Sequence, residues 1–115
     1  MPTDFVRHES TPKGHVISLR LPMSLEAADF DALNDDLLAL IQTQPQAKWV
    51  IDLSETSYLG SAMLGMLVNI RQQVKAGGGR LLLCGLSKGL LSIFRTCCME
   101  RLFAIEKDRA AALSA

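Results

Sequence analysis

The sequence predicts a single α/β domain: a mixed, mostly parallel β-sheet with an N-terminal β-hairpin and helices packed mainly on one face. Three observations carry this expectation. Two short, nearly continuous apolar runs, residues 49 to 53 (Trp-Val-Ile-Asp-Leu) and 81 to 85 (Leu-Leu-Leu-Cys-Gly), have the character of strands covered on both sides. Segments with apolar residues at helical spacing alternate with them from residue 48 onward, the pattern of right-handed crossovers between parallel strands. Near the N-terminus, two strand-like segments flank Thr11, Pro12, Lys13 and Gly14, which supply turn chemistry.

Residues 3 to 9 and 14 to 21 are the two strands of the hairpin. In the second, Ile17, Leu19 and Leu21 form the more apolar face against Val16, Ser18 and Arg20, and Pro22 ends it. From Leu25 to Thr43, Phe30, Leu33, Leu37, Leu40 and Ile41 recur at helical spacing. Asp29, Asp31, Asn34, Asp35 and Asp36 fall on the other side, where aspartates near a helix start favour its dipole and solvate its outer face rather than bind metal. The helix ends before Pro45.

The strand at 49 to 53 follows, then a polar loop from Ser54 to Ser57. Residues 61 to 76 return to helical spacing, with Met63, Leu67, Ile70 and Val74 on one stripe. Gly77, Gly78 and Gly79 stop that helix, since glycine enters the left-handed cap conformation freely. They are no phosphate-binding loop, because they follow a helix and precede a strand. After the strand at 80 to 85, Ser87 is a candidate cap for a helix containing Leu90, Leu91, Ile93 and Phe94. Leu102 to Glu106 reads as the last strand, and residues 107 to 114 as a short helix or a frayed end.

Composition narrows the functional classes. The chain has 115 residues, 49% of them hydrophobic and 21% charged, which suits one core and one domain. Twelve basic and twelve acidic residues cancel, so the concentrated positive charge needed for nucleic acid is missing. No apolar run reaches the roughly 18 residues of a membrane span, and the start of the chain is unlike a secretory signal. A cytoplasmic location without membrane insertion is expected. The three cysteines cannot all pair within one chain, and a disulfide between adjacent Cys97 and Cys98 would be strained, so reduced thiols are expected.

Candidate chemistry centres on the hydroxyls between residues 52 and 65. Ser61 stands where the loop turns into a helix, so its side chain is expected to cap the unpaired first-turn amides. The same position also favours a phosphate, through those amides and the positive end of the helix dipole. Ser54, Thr56 and Ser57 lie in the loop. Cys97 and Cys98, between Arg95 and Arg101, admit either a reactive thiol or simple packing between a helix and the last strand, and no Cys-x-x-Cys motif supports the first. His8 and His15 read as surface residues of the hairpin, without metal-ligand spacing. Met63, Met66 and Met99 suit core or partner surface, with Met63 expected to be exposed beside Ser61. No catalytic residue, cofactor or metal is expected.

Asp52-Leu-Ser, Tyr58-Leu59, Ser61, Leu64-Gly65 and Leu67, then Gly78-Gly79 before Leu81-Leu-Leu and Gly85, then Leu91, Phe94 and Leu102-Phe103, resemble the STAS domain of bacterial anti-sigma factor antagonists. The resemblance covers about residues 14 to 106 and rests on the order and spacing of several short motifs. It implies a small α/β fold with a mixed sheet and helices mainly on one side. It also implies binding to an anti-sigma factor that is a serine kinase, with phosphorylation of one serine breaking the complex.

That serine falls on Ser61. Its usual surroundings in the family are Asp-Ser-(Ser or Thr)-Gly-Leu-Gly, whereas this chain has Gly60-Ser61-Ala62-Met63-Leu64-Gly65. The acceptor is kept, while Gly60, Ala62 and Met63 change what a kinase would recognise. The expected partner-binding residues are Thr56, Ser57, Tyr58, Gly60, Ser61, Ala62, Met63 and Met66. The partner implied by the resemblance is an anti-sigma factor kinase that brings its own ATP, with a phosphatase reversing the mark. Two other readings are a module without a switch in another signalling or transporter-associated complex, and a small enzyme using Cys97 or Cys98.

Overall fold

The computed structural model describes residues 5–22 and 25–115, and nine elements run through them. β1 (Val6–Thr11) and β2 (Gly14–Leu19) form the antiparallel hairpin. Thr11 closes its turn: the Oγ1 donates to the Gly14 carbonyl at 2.6 Å and accepts from the Lys13 and Gly14 amides at 3.2 and 3.1 Å. α1 (Ala27–Gln42), β3 (Lys48–Asp52), α2 (Ser61–Ala76), β4 (Arg80–Cys84), α3 (Lys88–Thr96), β5 (Ala104–Glu106) and α4 (Arg109–Ser114) follow. The strand order is β1-β2-β3-β4-β5, with every pair after the hairpin parallel.

Alternation along the strands divides the interior into two layers. Ile17, Leu19, Trp49, Ile51 and Leu83 face α1, α2 and α3, and all are fully buried against Leu33, Leu37, Leu67, Ile70, Leu90 and Phe94. Each such side chain removed from water contributes about 1.5–3 kcal/mol. Phe94 meets Phe103 edge-on with ring centroids 5.8 Å apart. The opposite face carries Val16, Val50, Leu82 and Cys84, covered by Ala112 and Leu113 of α4. Both central strands are therefore buried on two sides, which is why their sequences read as continuous apolar runs.

α4 settles the alternatives for residues 107 to 114 in favour of a helix. Asp108 caps its start by accepting from the Ala111 amide at 2.8 Å, and Lys48 Nζ donates to the Ala112 and Leu113 carbonyls at its far end, at 3.2 and 3.1 Å. An ammonium at a helix C-terminus also opposes the dipole favourably. Ser87 is the expected cap of α3, accepting from Leu90 at 3.2 Å. At the end of α2, Gly78 takes the left-handed conformation (φ +86°), and the Gly79 amide reaches back to the Val74 carbonyl at 2.9 Å.

Several boundaries move. The first strand was expected over 3 to 9 but runs Val6–Thr11, with positions 3 and 4 outside the described residues. β2 stops at Leu19 rather than at residue 21: the Arg20 amide still reaches the Phe5 carbonyl, but the Leu21 amide bonds to the Thr56 hydroxyl instead of to a strand. β5 begins at Ala104 rather than at Leu102, whose amide is taken by the Met99 carbonyl in a turn.

Candidate functional site

The candidate site is the connection from β3 to α2, held by two side chains, Asp52 at the end of β3 and Thr56 within the loop. Asp52, the last residue of β3, points to the α4 side of the sheet. Its Oδ1 accepts from the Ser54 amide at 2.9 Å, and its Oδ2 accepts from Arg109 Nε and Nη2 at 3.2 and 2.9 Å. Arg109 also reaches the Ser18 hydroxyl at 2.9 Å and Glu9 at 3.3 Å, so one guanidinium ties α4 to β1, β2 and β3. Burial alone would push the Asp52 carboxyl up, but hydrogen bonds from the Ser54 amide and hydroxyl and from Arg109 outweigh it and hold the carboxyl below its ordinary value. Gly85 is required here: its φ is +72°, and a Cβ would come within 2.8 Å of Asp52 Oδ1.

Thr56 is the second anchor. Its hydroxyl donates to the Leu19 carbonyl at 2.7 Å and accepts from the Leu21 amide at 3.2 Å, with 2% of the residue exposed. One side chain thus satisfies two backbone groups where the chain leaves β2. Thr56 was expected in the partner-binding set, but its hydroxyl is consumed internally.

Beyond Thr56 the chain surfaces. Ser57 and Tyr58 are exposed, Leu59 returns to the core, and Gly60 is half-buried. The expectation that Ser61 caps α2 is overturned. Gly60 is the N-cap residue, extended at φ −80° and ψ 173°, its carbonyl accepts from Leu64 at 3.0 Å, and no side chain caps the helix. Ser61 is already helical, and a capping side chain must come from the extended residue before the helix. Its hydroxyl is left exposed beside first-turn amides that lack side-chain partners.

Met63, expected to be exposed, is 9% exposed, and Met66, also in the expected partner set, is 3% exposed; both belong to the core formed with α1 and α3. Helical periodicity turns Met63 inward on the same stripe as Leu67 and Ile70, while Ser61 and Ala62 face out. A groove of about 460 Å³ runs alongside, lined by Pro22, Leu25, Phe30, Tyr58, Ser61 and Met63. Of the expected set, Ser57, Tyr58, Gly60, Ser61 and Ala62 share the accessible surface.

The cysteines separate. Cys84 is buried beneath α4, and burial, reinforced by the negative charge of Asp52, pushes its thiol up to about 12. It stays protonated at neutral pH. Cys97 and Cys98 were expected to fill space against the last strand, yet both are exposed because they form the C-terminal cap of α3. His8 and His15 lie on the hairpin at the opposite edge of the sheet, stacked over Trp49, so no imidazole stands by these thiols as a base. The Asp52–Arg109 bond and the histidine stack were not found from sequence. The hairpin turn offered a signal for the second, since closing at Thr11–Gly14 puts residues 8 and 15 diagonally on one face.

A five-stranded mixed sheet with one hairpin edge, three helices on one face and a short helix across the other defines a small three-layered α/β module. The STAS domain family model matches residues 9–112, and the chain belongs to that family. Among solved structures it is similar to an anti-sigma-factor antagonist (STAS) domain protein from Planctomyces limnophilus, at 23% identity and TM-score 0.80, with 95% of each chain covered. A serine-to-glutamate variant of RsbS from Moorella thermoacetica aligns at 15% identity and TM-score 0.79, covering 95% of this chain and 92% of that one. The Bacillus cell fate determinant SpoIIAA in its phosphorylated form aligns at 16% identity and TM-score 0.66, covering 92% and 95%. None of the described helices is long and apolar enough to cross a membrane.

Proposed function

We propose that this chain is a non-enzymatic regulatory module of the anti-sigma factor antagonist kind, docking a protein partner through residues 57 to 62 and switched by phosphorylation of Ser61. The partner class is an anti-sigma factor with serine kinase activity, which brings the ATP, and a phosphatase restores the hydroxyl. The observation that carries the reading is the state of Ser61: an exposed hydroxyl in the first turn of α2, relieved of capping duty, on the rim of an apolar groove. A phosphate there adds nearly two negative charges, which free amides and the helix dipole accommodate in the free module but which a docked partner must desolvate or repel. Support also comes from SpoIIAA, a fold relative known in phosphorylated and unphosphorylated forms.

The module without a switch, in a signalling or transporter-associated complex, is favoured by Gly60, Ala62 and Met63 in place of the family's usual residues. Incubation with the cognate kinase and ATP, followed by mass spectrometry of the 50 to 71 segment, separates the two. Phosphate on Ser61 with loss of partner binding is expected. Phosphate on Ser54 or Ser57 instead would move the switch into the loop, and none at all would favour the switchless module.

A further inference from the structure

The hairpin register places His8 opposite Ile17 and His15 opposite Ser10, so the two imidazoles are diagonal neighbours on the helix-covered face. Nε2 of His8 lies 3.0 Å from Nδ1 of His15. Their rings lie edge to edge across this contact, 20° from parallel with centroids 5.2 Å apart, and His15 in turn stacks on Trp49 at 4.4 Å. Trp49 is fixed from beneath by its Nε1 bond to the Gln44 carbonyl at 3.0 Å. His8 is exposed and His15 half-buried, so the pair is rigidly backed yet open to solvent.

We propose that His8 Nε2 and His15 Nδ1 form a bidentate site for a divalent transition metal that prefers tetragonal geometry, copper(II) foremost, with water completing the coordination. The spacing selects the geometry. With metal–imidazole bonds of about 2.0–2.1 Å, two nitrogens 3.0 Å apart subtend about 91–97° at a shared ion, the cis edge of a square rather than the wider angle of a tetrahedron. Imidazole ligands and the general affinity order of divalent ions both favour copper(II).

The exchange balances without an added reagent. In the neutral pair one ring donates its N–H to the other, and that proton moves to the donor ring's second nitrogen as the ion takes its place. Both inner nitrogens then offer lone pairs, which point at each other along the N···N line in the metal-free pair, so the exposed His8 ring turns until the two converge on the ion. Among the described residues no group of three or more His, Cys, Asp or Glu side chains is assembled, so the protein supplies two ligands here. The site lies where β2 and β3 begin, at the opposite end of those strands from the loop leading to Ser61, and is independent of the switch.

Trp49 is the only tryptophan of the chain and is fully buried, so its fluorescence reports a paramagnetic ion bound at the pair while collisions with free ion contribute little. Copper(II) is titrated into a Cys97→Ser/Cys98→Ser chain, in which the exposed thiols neither bind nor reduce it. Saturable one-to-one quenching is expected, weakened at least about tenfold by His8→Gln and by His15→Gln, since each removes one arm of a chelate. Electron paramagnetic resonance should show a tetragonal copper centre with two nitrogen ligands, reduced to one in either variant. Absence of saturable quenching overturns the site, as does quenching in both variants as strong as in the chain that keeps both histidines.

Discussion

Arg109 and Asp52, 57 positions apart, are joined by two bonds to one carboxylate oxygen, from Nε at 3.2 Å and from Nη2 at 2.9 Å. The same carboxylate holds the Ser54 amide through its other oxygen. A single acidic residue therefore fixes both the C-terminal helix and the root of the loop that leads to Ser61. Arg109→Met should destabilise the fold by about 1–2 kcal/mol, toward the low end of losing a charge-assisted partner because the guanidinium is partly exposed. Chemical denaturation measures this, and hydrogen exchange should rise at α4 and at Ser54.

The same carboxylate sets an acid limit. Its pKa is lowered in the folded state, so its contribution to stability is present above the ordinary value of 3.8 and is lost as pH falls through the folded value. His15 acts earlier on the scale: its folded pKa is depressed, so the unfolded chain binds the proton more readily and stability declines as pH drops below 6.5. Denaturation midpoints measured from pH 8 to pH 3 should show both declines, with the upper one absent in His15→Gln and the lower one smaller in Arg109→Met.

Thr56→Val keeps the shape and removes a hydroxyl that serves two backbone groups at the end of β2. The Leu21 amide and Leu19 carbonyl lose that partner, and a cost of about 1–3 kcal/mol follows. Thr56→Ser should recover most of it in the same thermal unfolding measurement. Equal losses in both variants would show that the methyl group, rather than the hydroxyl, matters.

Cys98 sits at φ +57°, in the cap position that Gly78 occupies at the end of α2. The motif is the same, with the Met99 amide bonded to the Phe94 carbonyl at 2.8 Å. Cys98→Gly relieves left-handed strain at some cost in unfolded-chain entropy, and a net gain of up to about 1 kcal/mol is expected from its unfolding midpoint. Cys97→Ala and Cys98→Ala should leave partner binding nearly intact, as neither thiol borders the groove by Ser61.

Ser61→Ala separates capping from signalling. With no side-chain cap at α2, its stability should stay within about 0.5 kcal/mol of the parent, and the variant should bind the partner while resisting phosphorylation. Ser61→Asp supplies one charge in a different shape, so it should weaken the complex less than phosphate does. Calorimetric titration of the partner against the parent, both variants and the phosphorylated chain gives the order.

Local chemistry was enough to reveal the architecture of this chain. The apolar runs around Val50 and Leu82, the helical stripes through Leu37 and Leu67, the turn at Thr11 and the caps at Ser87 and Gly78 each follow from neighbours within a few residues, and periodicity reports them directly. The order of short motifs from Asp52 to Phe103 carried the family in the same way. Tertiary structure alone decided which candidate side chains are spent internally. Thr56 is consumed by β2, Asp52 by α4, and Met63 by the core, whereas Ser61 is released because Gly60 took the cap position. The pairing of His8 with His15 likewise needed the hairpin to close. Hydrogen bonds and ion pairs between residues 37 to 100 positions apart depend on where the sheet sets its strands, and spacing along the chain holds no record of that.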